Sequence, residues 1–309
     1  MIYSIQRIEE EVITVTKLLI TQYTDPMCVW CYAMEPSMRK LQYLLGDKLE
    51  YRSVCGVLVA DVKQIIGDDA ASDMRFQQLK LQMREHFLDA ARRSRVPVDP
   101  SWLDDTAKED VTSLPMTLAF EAVKLQNPER ANAFLTECRA NSHARTIRMN
   151  RRNNIIELAR NYVDDLPRFE SDYDGQASRT ALVSDLALCR AKNVSSFPTI
   201  EFSYGDASFI QSGYLEFDQL ASIIDRITNG AIHIPTVSYS LDEALRFLHT
   251  YKTVSGADLK TLFDLTESQL EDLVQTLIDG GSATLETCAE GYFLHEVELM
   301  GCVGGTCSI

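Results

Sequence analysis

Positive charge is scarce in this sequence. Thirty Lys and Arg stand against 45 Asp and Glu in 309 residues, a formal net charge of −15. Such a field repels nucleic acid and acidic membranes, so neither is expected as a partner. Long apolar runs are missing too. No stretch approaches the ~20 residues that a membrane-spanning helix needs. The first fifteen residues carry Glu9, Glu10 and Glu11 and lack a basic start followed by an apolar run, so no secretory signal is expected. Histidine is sparse. His86, His143, His233, His249 and His295 are scattered without a metal-ligand spacing, which reads as surface or satisfied core positions. No metal and no cofactor are expected. What remains is ordinary for a globular protein: 45% hydrophobic and 24% charged residues, enough for one large or two modest cores.

Eight cysteines are present. Without an export signal they do not read as a disulfide framework, and a reducing, cytoplasmic setting is expected. Two of them form Cys28-Val29-Trp30-Cys31, where the apolar strand Lys17–Tyr23 turns through Thr24-Asp25-Pro26-Met27 into a helix expected from Tyr32 to Leu45. Residues three apart in a helical turn lie roughly 5–6 Å from each other. That falls within the about 4.4–6.8 Å a disulfide requires between Cα atoms. A cysteine at a helix N-terminus meets free N–H groups and the positive end of the macrodipole, which favour its thiolate. Cys28 therefore reads as the nucleophile and Cys31 as the shielded resolving thiol. A zinc site or inert packing are the alternatives. Zinc wants a second pair of ligands, and the remaining closely spaced cysteines, Cys302 and Cys307, lie at the far end of the chain.

Far downstream, Val194 to Phe202 passes from a helix into a strand through one proline, Pro198. Proline has no N–H for a central ladder, and X–Pro bonds alone tolerate cis at low cost. With Asp25-Pro26-Met27-Cys28-Val29-Trp30-Cys31-Tyr32 followed by Phe197-Pro198-Thr199, the chain resembles the DsbA family of thioredoxin-fold oxidoreductases. The FrnE-like branch of predicted disulfide isomerases fits best, over roughly residues 15–230. The resemblance implies a cis Pro198 beside the two cysteines and a substrate backbone bound at the residue before it, Phe197. Thr199 completes that loop, and Trp30 is expected to offer an apolar contact beside the exposed sulfur. Many members carry a small residue where this chain has Phe197, which would narrow the groove.

The expected fold class is α/β. A thioredoxin fold is built from residues 1–60 and 171–230, with a helical insertion at 61–170 lying over the site and a winged-helix-like module at 236–309. Within the insertion, Arg145, Arg148, Arg151 and Arg152 cluster; they read as a solvated face or as a contact for an anion or acidic partner. In the C-terminal module, Ser255 is expected to cap a second helix, and Thr266 with Gln269 a third. Twelve carboxylates against three cations there argue against DNA reading and for a protein partner. Cys302 and Cys307, separated by Val-Gly-Gly-Thr, are a candidate second redox pair for thiol–disulfide exchange with Cys28/Cys31. Cys55, Cys138, Cys189 and Cys288 read as apolar fillers.

The expected activity is reduction or isomerisation of disulfides in protein or small thiol substrates. Two other readings stand beside it. One is a non-catalytic adaptor that presents a partner to another machine such as a protease. The other is a kappa-class glutathione transferase or hydroxychromene carboxylate isomerase, whose leading position is typically serine rather than cysteine.

Overall fold

The computed structural model describes residues 16–297. Cys302 and Cys307, the candidate second pair, lie outside them. Strand β1 (Leu18–Thr24) is buried along nearly its whole length, as its apolar run demands. It pairs parallel with β2 (Leu49–Cys55) on one side and antiparallel with β3 (Thr199–Tyr204) on the other. Strand β4 (Ala207–Ser212) adds antiparallel to β3 through the Gly205 turn, where φ is +56°. The sheet order is β2-β1-β3-β4.

Between β1 and β2 the chain forms two helices, α1 (Val29–Ala33) and α2 (Glu35–Leu45), rather than one continuous helix. Pro36 in the first turn of α2 cannot donate to the preceding turn, and proline disfavours α geometry one residue earlier. The ladder therefore breaks at Met34. Met34, Met38, Leu41 and Leu45 of this segment pack with Leu18, Ile20, Ile200 and Phe202 beneath the sheet, joined by Leu220 and Ile224 of α10 (Phe217–Thr228).

The insertion is helical: α3 (Lys63–Ile66), α4 (Ser72–Ser94), α5 (Leu114–Gln126), α6 (Pro128–His143), α7 (Arg152–Ala159) and α8 (Leu166–Asp174), followed by α9 (Gln176–Ala191). Pro128 opens α6, where its missing N–H costs no hydrogen bond. The insertion has its own core around Phe120, Phe134 and Phe169. A second contact buries α1: Val29, Tyr32 and Ala33 pack with Phe87 and Ala90 of α4 and Ala140 of α6.

The arginine cluster is ion-paired, with Arg151 and Arg152 still exposed. Arg145 pairs with Glu137 and Glu286, Arg148 and Arg151 both pair with Asp110, and Arg152 pairs with Glu170 and Asp174. Long-range carboxylates that local charge patterning cannot locate take up these cations.

The C-terminal residues form α11 (Leu241–Tyr251), β5 (Thr253–Ser255), α12 (Gly256–Phe263), α13 (Glu267–Asp279), β6 (Ala283–Thr287) and β7 (Tyr292–Glu296). Capping boxes at Ser255/Asp258 and Thr266/Gln269 start α12 and α13. Strand β5, which the sequence pattern did not reveal, completes a sheet of order β5-β7-β6. This unit docks on the outer face of α2. Arg39 reaches Asp258 at 3.0 Å, Lys40 donates to the Thr261 carbonyl at 2.8 Å, and Tyr43 donates to Glu243 at 2.6 Å. Among the described residues no helix is long and apolar enough to cross a membrane.

Candidate functional site

The two halves of the sequence pattern meet where β1 and β3 end side by side. Tyr23 lies opposite Thr199 in the sheet register, so the turn after β1 and the loop before β3 share one edge. The Phe197–Pro198 peptide bond is cis. Cys28 Sγ donates to the Phe197 carbonyl at 3.5 Å. The Pro198 carbonyl accepts from Gly213 N at 2.8 Å, and the Thr199 hydroxyl donates to the Ser196 carbonyl at 2.8 Å. Thr199 is 1% exposed and supports the loop from within.

Phe197 is half-buried. Its ring lies over Gly56, where a Cβ would sit 2.1 Å from the ring. The side chain therefore reaches toward the end of β2, packing near Val54 and Cys189. Gly56→Ala displaces this ring and with it the carbonyl beside Cys28. The expected result is a loss of about 1–3 kcal/mol in stability, typical of overpacking. Disulfide turnover should fall about tenfold or more, because small misplacements at a reacting centre are costly. Unchanged turnover with unchanged stability would show that the contact does not position the loop.

Trp30 lies between the two cysteines in the first turn of α1. Its ring packs on Tyr214 (5.9 Å between centroids) and His86 (6.5 Å), and the Arg93 guanidinium lies over it at 5.7 Å.

Cys28 is 6% exposed and caps α1, and Cys31 is fully buried. Helix α1 is only five residues long, so the long dipole inferred from sequence is absent at Cys28. The two thiols are shifted in opposite directions. Cys28 is held well above its ordinary value, first by its interaction with the Cys31 sulfur and then by burial. Burial also pushes Cys31 upward. The hydrogen bond from Cys28, the Arg139 guanidinium and the Thr24 hydroxyl outweigh burial and bring Cys31 below the usual thiol. The two thiols are coupled, and the pair titrates as a unit.

Sequence reasoning missed the groups behind the pair. Arg139 of α6 is 1% exposed. It ion-pairs with Glu35 at 2.5 Å and donates to Thr24 Oγ1. Asp25 is fully buried and accepts from Met27 N at 2.7 Å and Leu58 N at 2.6 Å. Burial lifts its carboxyl from 3.8 to about 6, against those hydrogen bonds. An aspartate in a strand-to-helix turn three residues before Cys28 was the available signal. Arg139 had none, because its partners are more than one hundred residues away in sequence.

Asp25 gives a pH prediction. A carboxyl whose folded pKa is raised is more easily protonated in the folded state. Its contribution to stability is full below the unfolded value near 3.8 and is lost as pH rises through about 6. The shift corresponds to about 3 kcal/mol. Relative to Asp25→Asn, the wild type should gain about that much unfolding free energy between pH 7 and pH 4. A difference that stays flat with pH would contradict the assignment.

Two histidines sit beside carboxylates that spacing did not reveal: His249 on Glu296 at 2.6 Å and His295 on Glu286 at 2.7 Å. His143 is in the core, but neither ring nitrogen has a hydrogen-bond partner, and burial drives its pKa down to about 3. Cys55 and Cys138 are fully buried and Cys189 is 6% exposed; burial raises all three thiols. Cys288 is only half-buried. Among the described residues no group of three or more His, Cys, Asp or Glu has the arrangement of a metal site.

Comparison with known proteins extends this picture. A family model described as Thioredoxin matches residues 22–214. Two curated relatives, each named ClpXP adapter protein SpxH, come from Bacillus subtilis and Halalkalibacterium halodurans. They are 23% and 24% identical to this chain over 266 and 271 residues, and in each case 84% of this chain and 83% of the relative are covered. The solved structure of the cytosolic disulfide reductase DsbM from Pseudomonas aeruginosa is 18% identical. It superposes with a TM-score of 0.55 over 69% of this chain and 100% of that one.

Proposed function

We propose, from the premise that this chain belongs to the thioredoxin family, that it is a thiol–disulfide oxidoreductase acting as a reductase or isomerase through Cys28 and Cys31. The observation that supports this most is the approach of Cys28 Sγ to the Phe197 carbonyl of the cis-prolyl loop. A disulfide-bearing chain laid along that loop places its sulfur against Cys28. Cys28 attacks one substrate sulfur while its proton passes to Cys31. The substrate S–S bond breaks, and the released sulfur leaves as a thiolate. That thiolate takes the proton back from Cys31. Cys31 then attacks Cys28 Sγ, the mixed disulfide breaks, and the Cys28–Cys31 bond forms as the second substrate sulfur leaves. The substrate gains two electrons and the protein loses two, which a thiol reductant later restores. If the substrate's own second thiol attacks before Cys31 does, the result is isomerisation.

In this reading Phe197 and Pro198 line the docking edge, Thr199 supports it, and Trp30 forms part of the rim. We assign the thioredoxin-like unit to residues 1–60 and 171–230, the insertion to 61–170 and the winged-helix-like module to 236–309. The setting we propose is the cytoplasm, in keeping with the cytosolic reductase whose fold it shares.

A second reading is supported by the relatives named as ClpXP adapters. The aligned share of the chain exceeds the thioredoxin match, so it takes in part of the chain outside 22–214. An adaptor would use the thioredoxin-like body and the acidic C-terminal module to hold a protein partner. Insulin reduction separates the two readings. An oxidoreductase accelerates precipitation of the reduced chains in the presence of dithiothreitol. An adaptor leaves the rate at background.

A further inference from the structure

Arg93 of α4 lies over two aromatic rings beside the redox turn and has no ion pair among the described residues. We propose that Arg93 is a substrate-binding residue, and that the preferred substrates are peptide disulfides with an acidic side chain near the reacting cysteine. The proposal rests on the oxidoreductase reading above and names the substrate class of that same site.

Three observations carry it. The first is position. The Arg93 guanidinium lies 5.7 Å from the centroid of Trp30 and 5.1 Å from that of Tyr214. Trp30 belongs to the redox motif itself. Tyr214 follows Gly213, whose N–H donates to the Pro198 carbonyl at 2.8 Å. One ring thus sits on the redox turn and the other on the segment tied to the cis-prolyl loop, and Arg93 spans them from the insertion. The second is that the cation is held without being neutralised. The rings lie 5.9 Å apart, and Trp30 Nε1 donates to His86 Nδ1 at 3.4 Å. Such a platform takes the flat face of a guanidinium and leaves its N–H edge free for a planar carboxylate. Asp89, one turn before Arg93, pairs with Arg92 instead. Glu216, two residues beyond Tyr214, closes the capping box of α10. Arg93 is exposed, so a ligand reaches it. The third is a comparison within the chain. Two other arginines lie over aromatic rings among the described residues, Arg39 over Tyr251 and Arg145 over Phe293. Each has carboxylate partners from this chain: Asp258 for Arg39, Glu137 and Glu286 for Arg145. Arg93 has the same stacking and lacks the carboxylate.

The consequence is selective binding rather than faster chemistry. A peptide laid along Phe197–Thr199 borders the Trp30/Tyr214 pair, and an acidic side chain on it reaches Arg93. The contact takes no part in sulfur exchange and is the same before and during it. Such uniform binding lowers KM and leaves kcat nearly unchanged. In a chain of net charge −15, it gives an acidic peptide a local site that the overall field denies it.

Peptide disulfides identical except for Glu, Gln or Lys beside the reacting cysteine test this in the full-length protein. KM should be lowest for Glu and highest for Lys, with the Glu peptide about fivefold below Gln, as suits one partly exposed charge pair. Arg93→Met keeps an apolar side chain on the rings and should erase that preference. Arg93→Lys should restore part of it, and Arg93→Glu should reverse the order of Glu and Lys. Comparing the Glu-to-Gln ratio between variants removes the charge's own effect on the peptide thiol. A ratio that is the same in wild type and Arg93→Met, or one that appears in kcat alone, overturns the proposal. Binding is measured separately, from Trp fluorescence of the reduced protein, with the same peptides carrying S-methylcysteine, which cannot exchange. A protein that reduces none of the peptides yet binds the Glu form more tightly through Arg93 would retain this site and lose the oxidoreductase reading. One that reduces all three alike would keep that reading and lose the site.

Discussion

Cys28→Ser reduces disulfide turnover to the uncatalysed rate, a loss of about a thousandfold or more, while the thermal midpoint moves little. The magnitude follows from the chemistry. A serine hydroxyl stays protonated at neutral pH and forms no exchangeable bond to sulfur, so the covalent step is lost rather than slowed. The small structural effect follows from the surroundings. The Cys28 side chain makes one long hydrogen bond, to the Phe197 carbonyl, and a hydroxyl can donate to the same oxygen. The backbone turn is held independently by Cys31 N and Tyr32 N on the Cys28 carbonyl and by Cys28 N on the Asp25 carbonyl. Steady-state insulin reduction and a thermal melt on one preparation check both halves. Retained turnover in Cys28→Ser would move the activity elsewhere in the chain.

The second large effect lies away from the cysteines. Asp258→Ala should lower the unfolding free energy by about 3–5 kcal/mol, the usual result of breaking a buried ion pair from one side. Asp258 is 3% exposed and performs two tasks with one carboxylate oxygen. Its Oδ2 receives Ser255 N at 2.7 Å and Ser255 Oγ at 2.8 Å, closing the capping box of α12. The same oxygen receives Arg39 from α2 at 3.0 Å. Alanine removes the side-chain half of the capping box and leaves Arg39, whose side chain is only 16% exposed, without its carboxylate against the module. Denaturant unfolding gives the number, and hydrogen exchange locates it. Amides of α11, α12 and β5 should lose protection before those of β1 and β3. A change below about 1 kcal/mol would mean that the apolar contacts of Phe247, Leu259 and Leu262 hold the module without this tie.

Local patterns carried much of the architecture. Cys28, Cys31 and Pro198 were legible because each belongs to a short strand-to-helix or helix-to-strand junction, where a few residues determine the geometry. The helix starts at Ser255 and Thr266 were legible for the same reason: a capping box spans four residues. The charge of the site was not. Arg139 falls on α6, where it reads as one more helical cation; only the fold brings it to Glu35 and Thr24 on either side of the cysteines in sequence. For Arg145, Arg148, Arg151 and Arg152 the pattern gave the charge but not the partners, since most of the carboxylates that pair with them come from other elements. The break at Met34 was readable from Pro36, yet apolar periodicity across Met34 and Met38 concealed it. That break shortens the helix behind Cys28, and the buried Arg139 is one of several groups that lower Cys31.

The most direct measurement is the identity of the sulfur that bonds to substrate. Full-length protein carrying Cys31→Ser is mixed with an oxidised peptide, quenched in acid, digested and mapped by mass spectrometry. The peptide should be found attached to Cys28 and should accumulate, because the thiol that would release it is gone. Attachment to Cys288 or to the C-terminal tail with Cys28 unmodified would contradict the account, as would continued release of reduced peptide.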